Sequence, residues 1–137
     1  MSLIANGKIE NTTVVIADKL FPPLSVKRVR DFLRTDSSVT DTRLMQLIGE
    51  ELLDVQHILL SRLDKFTLSE AQEVWYFSAV ANGVGAKVCE IYRNYDSTNK
   101  GDARARDMSA TIDEYRRNKQ WALSKLIGRN QTVAELI

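Results

Sequence analysis

The chain has 137 residues, 44% of them of apolar type, and its 19 basic residues nearly cancel 18 acidic ones, leaving a formal charge of +1. That size and hydrophobicity suit one compact domain, and near-neutrality speaks against a protein whose main work is wrapping DNA phosphates. A single cysteine, Cys89, excludes an internal disulfide and, with a single histidine, a structural zinc site. Residues 1–11 lack the apolar core of a signal peptide, and no later run approaches the ~20 apolar residues of a membrane span, so a soluble product made in the cytosol is expected.

Residues 1–24 contain Val14, Val15 and Ile16 but no helical period, and the adjacent Pro22 and Pro23 push the preceding residues toward extended conformations. This segment reads as an irregular arm. Ser25 is an N-cap candidate, followed by Val26, Val29, Phe32 and Leu33 on one apolar side of a short helix to about Arg34. Thr40 is the next N-cap, and Leu44, Leu47, Ile48, Leu52, Val55, Ile58, Leu59 and Leu63 keep three-and-four spacing for a helix of about 34 Å.

Thr67 with Glu70, and Ser69 with Gln72, have capping-box spacing and open a third helix bearing Val74, Phe77, Val80, Val84, Val88, Ile91 and Tyr95. Its middle holds Ala81, Gly83 and Gly85, and each glycine costs a helix interior about 1 kcal/mol relative to alanine. Two readings follow: a neighbouring helix packs very close to this small face, or the helix breaks near Gly83. Asp96 to Gly101 is a turn signal. Beyond it Ala105, Met108, Ile112, Tyr115, Ala122 and Leu126 repeat at helical intervals, and Gly128 stands where a helix C-terminus needs a glycine. Residues 129–137 are left as a tail. The expected fold is all-α: a compact bundle of four to five helices, with an arm over 1–24, a helical connector domain over 25–128 and the tail.

Charge is segregated along the chain. Residues 19–34 carry a net +4, residues 41–73 a net −4 and residues 100–129 a net +4. Such patches are either ordinary solvated faces or surfaces that meet between neighbouring subunits.

Constellations for chemistry are poor. Asp54, His57 and Ser61 have the residue types of a hydrolase triad, but three- and four-residue spacing on one helix points them outward in parallel, and no oxyanion element accompanies them. Asp96, Thr98, Gly101 and Asp107 fit a calcium-loop template with Lys100 where an oxygen ligand belongs. Cys89 reads as a buried structural thiol, and Trp75, Trp121, Tyr76, Tyr92, Tyr95 and Tyr115 as core or subunit-contact residues. No catalytic residue, metal ligand or cofactor-binding residue is expected, and no cofactor.

Four blocks in order carry a resemblance. They are Phe21-Pro22-Pro23-Leu24-Ser25, leading through Arg28 and Arg34 to Asp36-Ser37-Ser38-Val39-Thr40 and Arg43-Leu44; Tyr92-Arg93-Asn94-Tyr95-Asp96-Ser97-Thr98 with Gly101-Asp102 and Arg104-Ala105; Arg116-Arg117 with Trp121-Ala122-Leu123 and Leu126-Ile127-Gly128-Arg129; and Thr132-Val133-Ala134-Glu135-Leu136-Ile137. Together they resemble the head completion protein family of peduovirus-type tailed phages. The chain departs from the family pattern most over Ser69 to Ala86.

The resemblance implies a non-enzymatic virion protein: a head-to-tail connector, or adaptor, in phage assembly. It would bind the portal vertex after DNA packaging, seal the genome in the head and offer the attachment surface for the tail or neck completion proteins. It implies a homo-oligomeric ring, twelve-fold in related connectors, with packaged DNA a partner only by proximity and no membrane. The location implied is the virion neck, with host cytoplasm as the place of assembly. Portal contact is assigned to Thr132, Val133, Glu135, Leu136 and Ile137. Inter-subunit or channel charge is assigned to Arg28, Arg30, Arg34, Glu50, Glu51, Asp54, Arg104, Arg106, Arg116 and Arg117. The alternative is a small helical DNA-binding or regulatory protein using Lys27, Arg28, Arg30 and the 100–129 segment on phosphates.

Overall fold

The computed structural model describes residues 13–14, 21–33, 39–62, 68–95 and 101–128, with side chains at 21–33, 39–62, 68–91 and 109–128. Four helices dominate, so the fold is all-α, as expected. The chain divides into two units, Met1–Ser69 and Glu70–Ile137, at a boundary inside the 25–128 stretch expected to be one helical domain.

In the first unit, β1 (Thr13–Val14) pairs antiparallel with β2 (Leu24–Ser25), placing Thr13 opposite Ser25 and Val14 opposite Leu24. This pairing departs from the irregular arm expected there, because a two-residue strand is too short to show a period in sequence. Phe21 and Leu24, on either side of the proline pair, are both buried.

Ser25 caps α1 (Val26–Leu33), its Oγ accepting a bond from the Arg28 amide at 3.3 Å. Val26, Val29 and Leu33 are buried, whereas Phe32, expected on the same side, is 44% exposed. At about 100° per residue Phe32 lies roughly 100° round the helix from Leu33, at the edge of the stripe.

Thr40 caps α2 (Asp41–Arg62) as its position suggests: its Oγ1 accepts the Arg43 amide at 3.1 Å, and its carbonyl accepts the Leu44 amide at 2.9 Å. Leu44, Leu47, Ile48, Leu52, Val55 and Leu59 are buried along one side of α2, with Glu51 and Gln56 also buried.

The second unit is built on a helical hairpin. α3 (Glu70–Tyr95) and α4 (Gly101–Ile127) pack together over lengths of about 39 and 40 Å. They run antiparallel, since the contacts descend along α4 as they ascend α3. Gln72 Nε2 donates to the Leu126 carbonyl at 3.3 Å, Lys125 Nζ lies 5.7 Å from the Trp75 ring centre, and Tyr115 sits against Gly85. Tyr76, Val80, Val84 and Val88, at four-residue intervals on α3, are buried, as are Ile112, Ala122, Leu123 and Leu126 on α4.

α3 is continuous through Gly83 and Gly85, which settles the sequence alternative in favour of close packing. A Cβ at Gly85 would lie 2.6 Å from Tyr115 Cε1, so the ring occupies the space that any side chain would need. Gly128 ends α4 with φ of 81°, its amide bonding the Ser124 carbonyl at 3.0 Å and the Lys125 carbonyl at 3.2 Å. Only glycine takes that left-handed conformation without steric cost. Among the described residues no helix is long and apolar enough to cross a membrane.

Candidate functional site: exposed helix faces

On α4, the buried Ile112, Ala122, Leu123 and Leu126 define one side of the helix. Trp121 falls about 180° round from Ile112, with Arg117 and Lys125 one turn to either side of it. All three are exposed, Trp121 to 61%. The Lys125 ammonium stands 5.9 Å from the Trp121 ring centre and 5.7 Å from that of the half-buried Trp75 on α3. Contacts of this kind contribute about 0.5–1 kcal/mol at an exposed site, so they orient the lysine more than they hold the hairpin together. The result is a cationic, aromatic stripe facing outward. Nearby, Val74 of α3 is 55% exposed, although its spacing suggested the buried side; it lies about 120° round the helix from Val80.

On α2, the side away from the buried leucines carries Glu50, Leu53, Asp54, His57 and Leu60, all exposed, with Leu53 at 56% and Leu60 at 41%. Two carboxylates and two leucines therefore share one helical stripe of opposite character to that on α4. Gln46 Nε2 donates to Glu50 at 3.3 Å along the same helix.

The residues expected to carry inter-subunit or channel charge fall into distinct settings. Arg28, Glu50, Asp54 and Arg117 are exposed. Arg30 is directed within its own unit: its Nη2 donates to the Val39 carbonyl at 2.8 Å and pairs with the Asp41 carboxylate, tying α1 to the first turn of α2. Asp41 there also suits the positive end of the helix dipole. Glu51 is buried to 4% exposure. Arg116 pairs with Glu90 of α3 at 2.7 Å, bridging the hairpin. Arg104 and Arg106 lie on α4, where only the backbone is described, and Arg34 and the tail residues Thr132, Val133, Glu135, Leu136 and Ile137 lie outside the described residues.

Neither alternative constellation forms a site among the described residues. Asp54, His57 and Ser61 are exposed on α2, and the Ser61 hydroxyl donates to the Ile58 carbonyl at 2.8 Å. α4 begins at Gly101, so Asp107 stands inside a helix and not in a calcium loop; Asp96 and Thr98 lie outside the described residues. Among the described residues no group of three His, Cys, Asp or Glu side chains could hold a metal ion.

Cys89 is half-buried, less enclosed than its place on the helix suggested. Burial, and then the neighbouring Glu90 carboxylate, push its thiol above the ordinary value. The Tyr115 phenol is likewise raised, by burial first and then by Cys89 and Glu114. Both groups are held protonated, which is the reverse of an activated nucleophile.

Sequence reasoning missed the Trp121–Lys125 stripe. Its signal was present, since Trp121 never joined the periodic positions of its own helix.

Comparison with known proteins gives these surfaces a context. A curated relative, the head completion/stabilization protein of Escherichia phage P2, is 28% identical over 133 residues, covering 85% of this chain and 79% of the relative. No solved structure matches the chain. The family model described as phage head completion protein (GPL) matches residues 67–137, just over half of the chain and the whole of the hairpin, and the chain therefore belongs to the phage head completion protein family.

Proposed function

We propose that this head completion protein docks on the portal vertex once DNA has been packaged, seals the genome in the head and presents the surface to which the tail or its neck proteins attach. The observation that carries this reading is the family match over 67–137, which spans α3, α4 and the tail. The name of the P2 relative, with its reference to completing and stabilising the head, supports it.

The protein works by surface complementarity and makes or breaks no bond of its own. Its place is the virion neck, reached from the host cytoplasm during assembly. Copies stand in a ring, twelve-fold by analogy with related connectors, and packaged DNA is met only by proximity. Exposed Arg28, Glu50, Asp54 and Arg117 are the charges best placed for contacts between copies or with the channel. Thr132, Val133, Glu135, Leu136 and Ile137 supply an apolar segment for the portal.

Binding to isolated portal rings tests both levels of the proposal. Full-length chain is expected to bind, whereas a chain lacking 132–137 keeps its helical circular-dichroism signal and loses binding. Undiminished binding by the truncated chain would remove the tail from the mechanism. Failure of the full-length chain to bind portal rings or filled heads would overturn the docking itself.

A further inference from the structure

We propose that the Arg117–Trp121–Lys125 stripe of one copy docks on the Glu50–Leu53–Asp54–Leu60 face of the next, making a head-to-tail contact between copies of this chain. This rests on the reading that the protein acts as a ring of copies, and it names the surfaces that would build one.

Chemistry on each side supports the pairing. The α4 stripe offers two cations flanking an indole that is 61% exposed. The α2 face offers two carboxylates beside two leucines that are 56% and 41% exposed. Large exposed apolar groups rimmed by charge are the usual anatomy of a protein contact, with tryptophan and arginine enriched among the residues that dominate its energy.

Length also agrees. Arg117 to Lys125 rises about 12 Å along α4, and Glu50 to Leu60 about 15 Å along α2. Charge complementarity then selects the occupant: an acidic, apolar helix face suits the α4 stripe, and this chain carries one. Duplex DNA suits it less well, because it would leave Trp121 without an apolar partner. The two surfaces differ, so the contact is heterologous, and repetition of a heterologous contact gives a ring when the rotation closes.

The test replaces Trp121 by the photocrosslinker benzoylphenylalanine in the full-length chain. An equal mixture of normal and heavy-isotope copies is irradiated at high protein concentration, and separately in assembled heads. Crosslinked peptides joining residue 121 of one isotope form to residues 41–62 of the other are expected in both samples. Their yield should fall about tenfold with Asp54→Lys and return when Lys125→Asp is added. Both positions are exposed, and each variant must keep the helical circular-dichroism signal of the parent before it is irradiated.

Crosslinks confined to one copy, crosslinks to DNA or to another virion protein, crosslinks to a different segment of this chain, or none in either sample would each overturn the proposal. Heads that contain no copy of the chain, alongside the expected crosslinks in the concentrated protein, would instead remove the neck reading and leave the self-contact standing.

Discussion

Tyr115 packs against Gly85, and that contact decides how the helix tolerates a glycine. Alanine at an ordinary helix position would gain about 1 kcal/mol over glycine, but here its Cβ would stand 2.6 Å from a tyrosine ring that must then shift. Overpacking of this kind costs about 1–3 kcal/mol, so Gly85→Ala should lower the unfolding free energy. Once Tyr115→Ala has emptied the space, the same substitution should become stabilising by up to about 1 kcal/mol. A double-mutant cycle in urea checks that reversal; equal effects in both backgrounds would mean that the ring does not fill the site. The same tyrosine links packing to pH. Tyr115 and Cys89 both hold their protons more tightly folded than their ordinary values of 10.0 and 9.0. A raised acid contributes stability that is complete below its unfolded value and is lost as pH rises through its folded one. Melting temperature should therefore begin to fall as pH passes the ordinary thiol value and fall further through the phenol range. Tyr115→Phe keeps the ring against Gly85 and should flatten the upper part of that decline. An unchanged slope in a series of melts from about pH 8 to 11 would assign the alkaline loss to other groups.

At the scale of elements, helix ends obey local rules and were legible for that reason. Ser25, Thr40 and Gly128 each act within four residues of themselves, through the Arg28 amide, the Arg43 amide and the carbonyls of Ser124 and Lys125. Thr40→Ala should cost about 1 kcal/mol by chemical denaturation, while Thr40→Asn, which retains a capping oxygen, should cost less than half of that. Equal losses for both would show that the cap does not matter to α2. Periodicity likewise exposed the buried sides of α2, α3 and α4, and the place of Trp121 opposite Ile112 was open to the same count. Other features depend on where the chain returns. Arg30 of α1 meets Asp41 at the start of α2, and no spacing rule pairs residues eleven apart on different helices. The burial of Glu51 follows from its angle, which lies between those of Leu47 and Leu44 inside the apolar arc, although its carboxylate argues for solvent; Gln56 sits at the edge of that arc, where burial depends on what covers it. Phe32 and Val74 fail in the opposite sense: each is apolar at nearly the right spacing, yet sits at the margin of its stripe, where exposure depends on what covers that edge.

For the molecule as a whole, a formal charge of +1 conceals blocks of +4, −4 and +4, and partner choice turns on how these are used. A protein gripping duplex DNA through six to ten phosphates loses about 10³–10⁵ in affinity between 50 and 200 mM salt, because each neutralised phosphate releases a counterion. The basic groups described here are partly committed elsewhere: Arg30 to Asp41 and Arg116 to Glu90. Among the described residues this thins the cations available to phosphates along any one face. Attachment to heads should accordingly show the modest salt response of a mixed apolar and charged contact, falling about tenfold or less over the same range, in which the Debye length shortens from roughly 14 to 7 Å. Affinity for a random duplex should be weak at every salt concentration. Parallel titrations on filled heads lacking this protein and on a labelled duplex separate the readings. A steep salt slope on the duplex with no attachment to heads would favour a DNA-binding role, whereas salt-independent attachment would shift the contact from the charged faces toward Leu53, Leu60 and Trp121.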